Sequence, residues 1–253
     1  MGRMGRETLA ALLRDPDLDP VGAIDIAPRE GPFPLSDGST TIPYATTLDQ
    51  LLAHCQADVV IDFTNAAACM SMAPFAAASG LHLVIGTTGL TDAHRQTLAD
   101  LSKSHNVGII AVPNFALGAV VLSYLARVAA KFFDYADIFE AHHENKIDAP
   151  SGTALDLAKV ITTEKSFNHV EPDVESLAST RGGQYNGVSI HSTRMPGRMA
   201  HHEVVFGITG QTLSLRHDTL SRECYMPALM LAVKEAVKRK ELVLGLEDIL
   251  GLS

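Results

Sequence analysis

From 140 to 153 the chain reads Glu-Ala-His-His-Glu-Asn-Lys-Ile-Asp-Ala-Pro-Ser-Gly-Thr. Two adjacent histidines, a lysine and a Pro-Ser-Gly-Thr helix start gather proton carriers, a fixed cation and an anion-binding terminus in one short stretch. Histidine titrates near neutrality, so His142 and His143 can give or take a proton at working pH, and Lys146 supplies charge and a second donor. Ser151 can cap a helix, which puts the amides of Gly152 and Thr153 in its positive first turn, where a carboxylate can accept their hydrogen bonds. Position 154 is alanine, not the acid of a capping box, which leaves those amides free. Zinc is the competing reading of paired histidines. Strand neighbours point to opposite faces and no third ligand follows at a standard spacing, so no metal is expected. A second pair, His201 and His202, reads as structural or surface residues; Arg194, Arg216 and Arg222 either line an anion pocket or enter ion pairs, the commoner fate.

These residues need a scaffold, and the chain around them changes pattern after Pro113. A long apolar helix, ALGAVVLSYLARVAAKFF, leads into DIFEAHHE, followed by a helix beginning near Ser151. GVSIHSTR, HEVVFGIT and QTLSLRHD then alternate or are β-rich between glycine-containing turns, as strands of an antiparallel or mixed sheet. A last helix, RECYMPALMLAVKEAVKR, is expected to pack back onto the first domain. Before Pro113, the near-continuous apolar runs 20–26, 58–63, 81–86 and 107–112 alternate with segments of helical period, the signature of a parallel sheet covered on both faces. The stretch 27–47, rich in Pro, Gly, Ser and Thr, reads as a loop. The fold expected is α/β: a Rossmann-like dinucleotide-binding domain, 1–113 joined by 221–253, plus a smaller α+β substrate and oligomerisation domain, 114–220, with a mixed sheet.

A doubly wound sheet binds ligands at the carboxyl ends of its strands. Asp62-Phe63-Thr64 follows one strand, Gly86-Thr87-Thr88-Gly89 the next and Pro113-Asn114-Phe115 the one after. The glycines allow close backbone approach, and the threonines offer hydroxyls and amides at a helix start; a plain tight turn and N-cap is the competing reading. Asp25, ending the run 20–26, stands where an acid binds the ribose hydroxyls or is a surface turn acid. Arg29 and Arg6 would instead attract a 2′-phosphate, so NADH and NADPH stay equally open. Gly2-Arg3-Met4-Gly5-Arg6 runs straight into a helix with no strand before it, although a dinucleotide fold opens strand, GxGxxG, helix. The first strand is thus expected to be missing, and the sequence favours a start upstream of Met1.

The formal net charge is −9, from 20 Lys+Arg against 29 Asp+Glu, which argues against nucleic acid or an anionic membrane as partner. An anionic substrate therefore needs a local positive pocket. Three widely separated cysteines without a CxxC pair suit a reducing cytoplasm, and no run reaches the length of a membrane span.

EAHHENKIDAPSGTA, with IDFT at 61–64, IGTTG at 85–89, PNFALG at 113–118 and GRMGR at 2–6, resembles the dihydrodipicolinate reductase family in order and spacing, from Gly2 to the C-terminal helix. The resemblance implies a cytoplasmic homotetrameric enzyme of the diaminopimelate route to lysine, reducing a small dicarboxylate, 4-hydroxy-tetrahydrodipicolinate, with NADH or NADPH. It implies an acid/base role for His142 and a proton-donor role for Lys146, with His143, Ser151, Gly152 and Thr153 holding substrate. The resemblance places cofactor contacts on Gly2, Arg3, Met4, Gly86, Thr87, Thr88, Val112, Pro113, Asn114 and Phe115, to which the strand-end reading adds Asp25, Phe63 and Thr64 as candidates. An aspartate dehydrogenase-like reductase would share the first domain and lack the central cluster; a defective paralogue that no longer binds nucleotide is the other alternative left by the shortened opening.

Overall fold

The computed structural model describes residues 1–35, 38 and 40–252. In chain order the elements are α1 (Arg3–Arg14), β1 (Ala23–Ile24), β2 (Phe33–Pro34), β3 (Thr41–Ile42), β4 (Tyr44–Ala45), α2 (Leu48–Leu52), β5 (Val59–Asp62), α3 (Ala66–Ala78), β6 (His82–Ile85), α4 (Asp92–His105) and β7 (Ile109–Ala111). There follow α5 (Leu117–Ala130), β8 (Tyr135–His142), α6 (Gly152–Glu164), β9 (Gly183–Tyr185), β10 (Val188–Arg194), β11 (Ala200–Ile208), β12 (Gln211–Thr219), a 3₁₀ turn at Arg222–Tyr225, α7 (Met226–Ala236) and β13 (Leu242–Leu244). Two compact units result, one of Met1–Phe115 with Arg222–Ser253 and one of Ala116–Ser221.

In the first unit β5, β6 and β7 run parallel and β13 extends them beyond β7. Leu83, Val84, Ile85, Ile109 and Ile110 are fully buried, which is why these strands read as unbroken apolar runs. Helix α1 buries Thr8, Leu9, Ala11 and Leu12, a single helical face, and stops at Asp15 because Pro16 follows. Asn65 caps α3 by accepting from the Ala68 amide at 3.0 Å. Helix α7 packs on β6 and α1.

Two readings need correction here. The run 20–26 contributes only a two-residue strand, β1, which pairs parallel with β4 and not with the β5 sheet. β1 and β4 thus form a two-stranded ladder separate from the four-stranded parallel sheet. The supposed loop 27–47 contains β2, β3 and β4, with β2 and β3 antiparallel; Ser36, Asp37 and Ser39 lie outside the described residues.

The second unit is a five-stranded mixed sheet in the order β12-β11-β8-β10-β9. Its central strand β8 pairs parallel with β10 and antiparallel with β11. Alternation along β8 sends Ala136, Ile138, Glu140 and His142 inward, while Tyr135 and Phe139 face out. The inward residues meet α5 and α6, whose Leu122, Ala126, Leu157 and Ile161 complete the core with Val188, Val204 and Phe206.

Candidate active site

The inward parity of β8 puts a carboxylate at the end of an apolar core. Glu140 is 2% exposed and His142 8%. A buried charge needs partners, and Glu140 is surrounded by donors. Arg194 grips it with both terminal nitrogens, Nη1 to Oε2 at 2.9 Å and Nη2 to Oε1 at 2.8 Å. His142 Nδ1 lies 2.5 Å from Oε2, and the Ser151 amide donates to Oε1 at 3.2 Å. Burial alone would raise the Glu140 carboxyl, but hydrogen bonds from Arg194, Ser192, His142 and the Ser151 amide outweigh it and hold the group at about 2. Burial pushes the His142 imidazole down against the opposing pull of Glu140, so the ring is neutral at neutral pH.

Ser151 caps α6, its Oγ accepting from the Ala154 amide at 3.2 Å. The same Oγ lies 3.1 Å from His202 Nε2. His202 comes from β11, is 4% exposed and meets the His142 ring edge-on at 5.2 Å between centroids. Burial, reinforced by His142, brings the His202 imidazole down to about 4. The surface reading of the second pair thus fails for His202, whose parity on β11 matches Val204 and Phe206. His201 points the other way and pairs with Asp218 at 2.6 Å.

Lys146 and His143 lie past the end of β8. His143 is exposed, and Lys146 pairs with Asp148 at 2.7 Å. The Asp148 carboxyl is held below the usual range, first by Lys146 and further by the Gly152 amide. That amide was expected to be free. Instead the chain sets one of its own carboxylates, paired with Lys146, beside the helix start, where the positive first turn favours an anion. Thr153 is half-buried in the same turn.

The residues carried for the cofactor gather in the first unit. Gly2 precedes α1 with open space where a Cβ would sit, and no side chain caps this helix. Arg3 is exposed and Met4 half-buried. Asp25 accepts from the Ala27 amide at 3.1 Å and pairs with the Met1 amino group, which brings the end of β1 beside the start of α1. At the carboxyl ends of the parallel strands the Phe63 ring lies over Gly86, where a Cβ would come within 2.1 Å of it. Phe63 also meets Phe115 edge-on at 5.9 Å. Asp62 organises these loops, accepting from the Thr64 amide at 2.9 Å and the Thr87 hydroxyl at 3.0 Å. The Thr87 hydroxyl is thus committed internally. Nor do Thr87 and Thr88 start a helix: the N-cap of α4 is Thr91, with His94 completing the box. Thr88 and Pro113 are exposed, Asn114 half-buried, and Val112 and Phe115 interior. An uncapped helix start, an acid at the end of β1 and a glycine-lined strand end together fit a dinucleotide.

Sequence reasoning assigned no role to Glu140 or Asp148, gave His202 only a structural or surface one, and left Arg194 undecided. The signal for Glu140 was present: it shares the parity of His142 in DIFEAHH, and an inward carboxylate demands a cation.

The fold and these two clusters define a two-unit α/β oxidoreductase. An amine dehydrogenase from Mycobacterium smegmatis shares this fold at a TM-score of 0.62 and 12% identity, over 93% of this chain and 90% of that one. The match to one family is far more specific. The family description "Dihydrodipicolinate reductase, N-terminus" matches residues 1–115 and "Dihydrodipicolinate reductase, C-terminus" residues 118–250; the chain belongs to the dihydrodipicolinate reductase family. Relatives named 4-hydroxy-tetrahydrodipicolinate reductase include one from Dehalococcoides mccartyi, 44% identical across 99% of this chain and 95% of its own length. Another, from Syntrophomonas wolfei, is 39% identical over 99% and 96%. A dipicolinate-bound dihydrodipicolinate reductase from Paenisporosarcina sp. TG-14 superposes with a TM-score of 0.87 at 34% identity, covering 98% of this chain and 96% of that one.

Proposed function

We propose that this chain reduces 4-hydroxy-tetrahydrodipicolinate to tetrahydrodipicolinate in the diaminopimelate route to lysine. The substrate loses its hydroxyl as water and gains one hydride and one proton. NADH or NADPH supplies the hydride, and the residues that would hold it are Gly2, Arg3, Met4, Asp25, Phe63, Thr64, Gly86, Thr87, Thr88 and 112–115. The observation that carries the reading is the joining of a buried, carboxylate-bound histidine to an anion-accepting helix start, in a chain that matches its family from end to end.

His142 is the acid/base residue. Its Nδ1 faces Glu140, which leaves Nε2 to exchange a proton with the substrate. Lys146 is the second proton donor and, with the amides of Gly152 and Thr153, receives a substrate carboxylate in the place Asp148 takes here. His143 lies exposed beside the same turn and adds a contact from the outer side. Ser151 holds the helix start in place through its cap. The outward face of the mixed sheet, where Tyr135 and Phe139 stand more than 40% exposed and Phe139 stacks on His191, supports a homotetramer built through this unit. Three widely separated cysteines without a CxxC pair support a reducing cytoplasm.

The test is oxidation of NADH and of NADPH by the purified chain, with substrate generated in situ by the preceding condensation. His142→Gln should lower kcat by ~10²–10⁴-fold while dipicolinate still binds. Folded protein that oxidises neither cofactor refutes the activity, and a fully active His142→Gln refutes the role.

A further inference from the structure

We infer that Glu140 is a positioning residue: it fixes which nitrogen of His142 faces the substrate and ties that ring to the anion-accepting start of α6. The inference rests on the acid/base reading of His142 and adds to it a residue to which the motif by itself gives no task.

Each Glu140 oxygen accepts at least twice, Oε2 from His142 Nδ1 and Arg194 Nη1, Oε1 from Arg194 Nη2 and the Ser151 amide, with Ser192 a further donor to the group. A carboxylate so surrounded is ionised and has only lone pairs to offer. Because it cannot donate, a neutral His142 bonded to it must carry its proton on Nδ1, and Nε2 keeps its lone pair. Arg194 is itself immobilised: it stands opposite His142 in the β8–β10 register and also donates to the carbonyls of Asp148 at 2.6 Å and Thr193 at 2.8 Å. The carboxylate therefore joins strand β8, strand β10, the turn that carries Lys146, and the first residue before α6.

Stability does not account for this arrangement, because a buried ion pair is a weak stabiliser compared with apolar side chains of the same volume. It supplies geometry instead. The proton carrier and the carboxylate receiver hang from the two oxygens of one side chain, so the separation between them cannot drift.

The first measurement is the ¹⁵N resonance pattern of the His142 ring in the unmutated protein. The Nδ1–H tautomer is expected, and the Nε2–H tautomer overturns the proposal without recourse to any variant. Glu140→Gln comes next. Its carbonyl can keep Arg194 and Ser151, but its NH₂ then opposes Arg194 Nη1 and donates to His142 Nδ1, driving the ring proton to Nε2. We expect kcat to fall by ~10²–10⁴-fold, as for a catalytic histidine held in the wrong tautomer, with the histidine limb of the pH–rate profile displaced and dipicolinate affinity little changed. A Glu140→Gln protein with wild-type kcat and pH profile overturns the inference. If His142→Gln is inactive in that case, the acid/base reading survives; if His142→Gln is active, both fall.

Discussion

Acidification should destabilise the second unit through one identifiable side chain. His202 is buried against Ser151 and the His142 ring, and its imidazole is brought down to about 4 by burial first and by His142 second. In the unfolded chain the same ring titrates near its ordinary value of about 6.5. Protons therefore prefer the unfolded state: the contribution is intact above about 6.5, is lost as pH falls toward about 4, and is level below that. The full difference corresponds to about 3 kcal/mol, of which about 2 kcal/mol is already lost at pH 5. Urea unfolding at a series of pH values from neutral to pH 5, run on the wild type and on His202→Gln, isolates this share. Glutamine keeps a hydrogen-bonding partner for Ser151 without a titratable ring. The wild type should lose about 2 kcal/mol more than the variant over that interval. His142 and His217 are also depressed by burial and sit beside His202, so the difference carries the His202 share together with its coupling to those rings. Equal losses in both proteins would refute the argument, because they would show that His202 does not remain neutral in the folded chain.

Gly86→Ala places a methyl 2.1 Å from the Phe63 ring and must push it off Phe115; NADH affinity should fall, dipicolinate affinity should hold, and Phe63→Leu should restore part of the loss in a titration. Gly118→Ala brings a Cβ within 2.3 Å of the His217 ring, opposite His202 in the β11–β12 ladder. Overpacking of this kind costs about 1–3 kcal/mol, to be read by thermal unfolding.

Alternation and helical period carried most of the fold. DIFEAHHE, GVSIHSTR, HEVVFGIT and QTLSLRHD all became strands, and their mixed pairing followed from glycine turns on one side and a helical crossover on the other. Short strands escaped because two or three residues carry no period: β4 and β13 are defined by their pairing with β1 and β7, a long-range property. GTTG was read as lying at a helix start because its threonines are good cap residues, although the cap itself is Thr91, where the helical segment begins. In the candidate site, motif spacing pointed to His142, Lys146 and the Ser151 cap. Arg194 and His202 are contributed by other strands, and only register places them. The engagement of the Gly152 amide by Asp148 was equally illegible, since it depends on how the 143–150 turn closes.

The mixed sheet also limits how far this chemistry can be moved. Arg194 and Glu140 lie 54 positions apart, and Ser151 and His202 lie 51 apart, so the bonds that bring the guanidinium and the second imidazole into the cluster each close a long stretch of chain. The 140–153 segment grafted onto another strand and helix would carry both histidines, the lysine and the cap, but neither the guanidinium that neutralises its carboxylate nor the second imidazole. It would then bury an uncompensated charge and eject it to solvent, taking the histidine along. The motif is recognisable as a short string, yet as a physical object it is the junction of β8, β10, β11 and α6, inherited only with the whole unit.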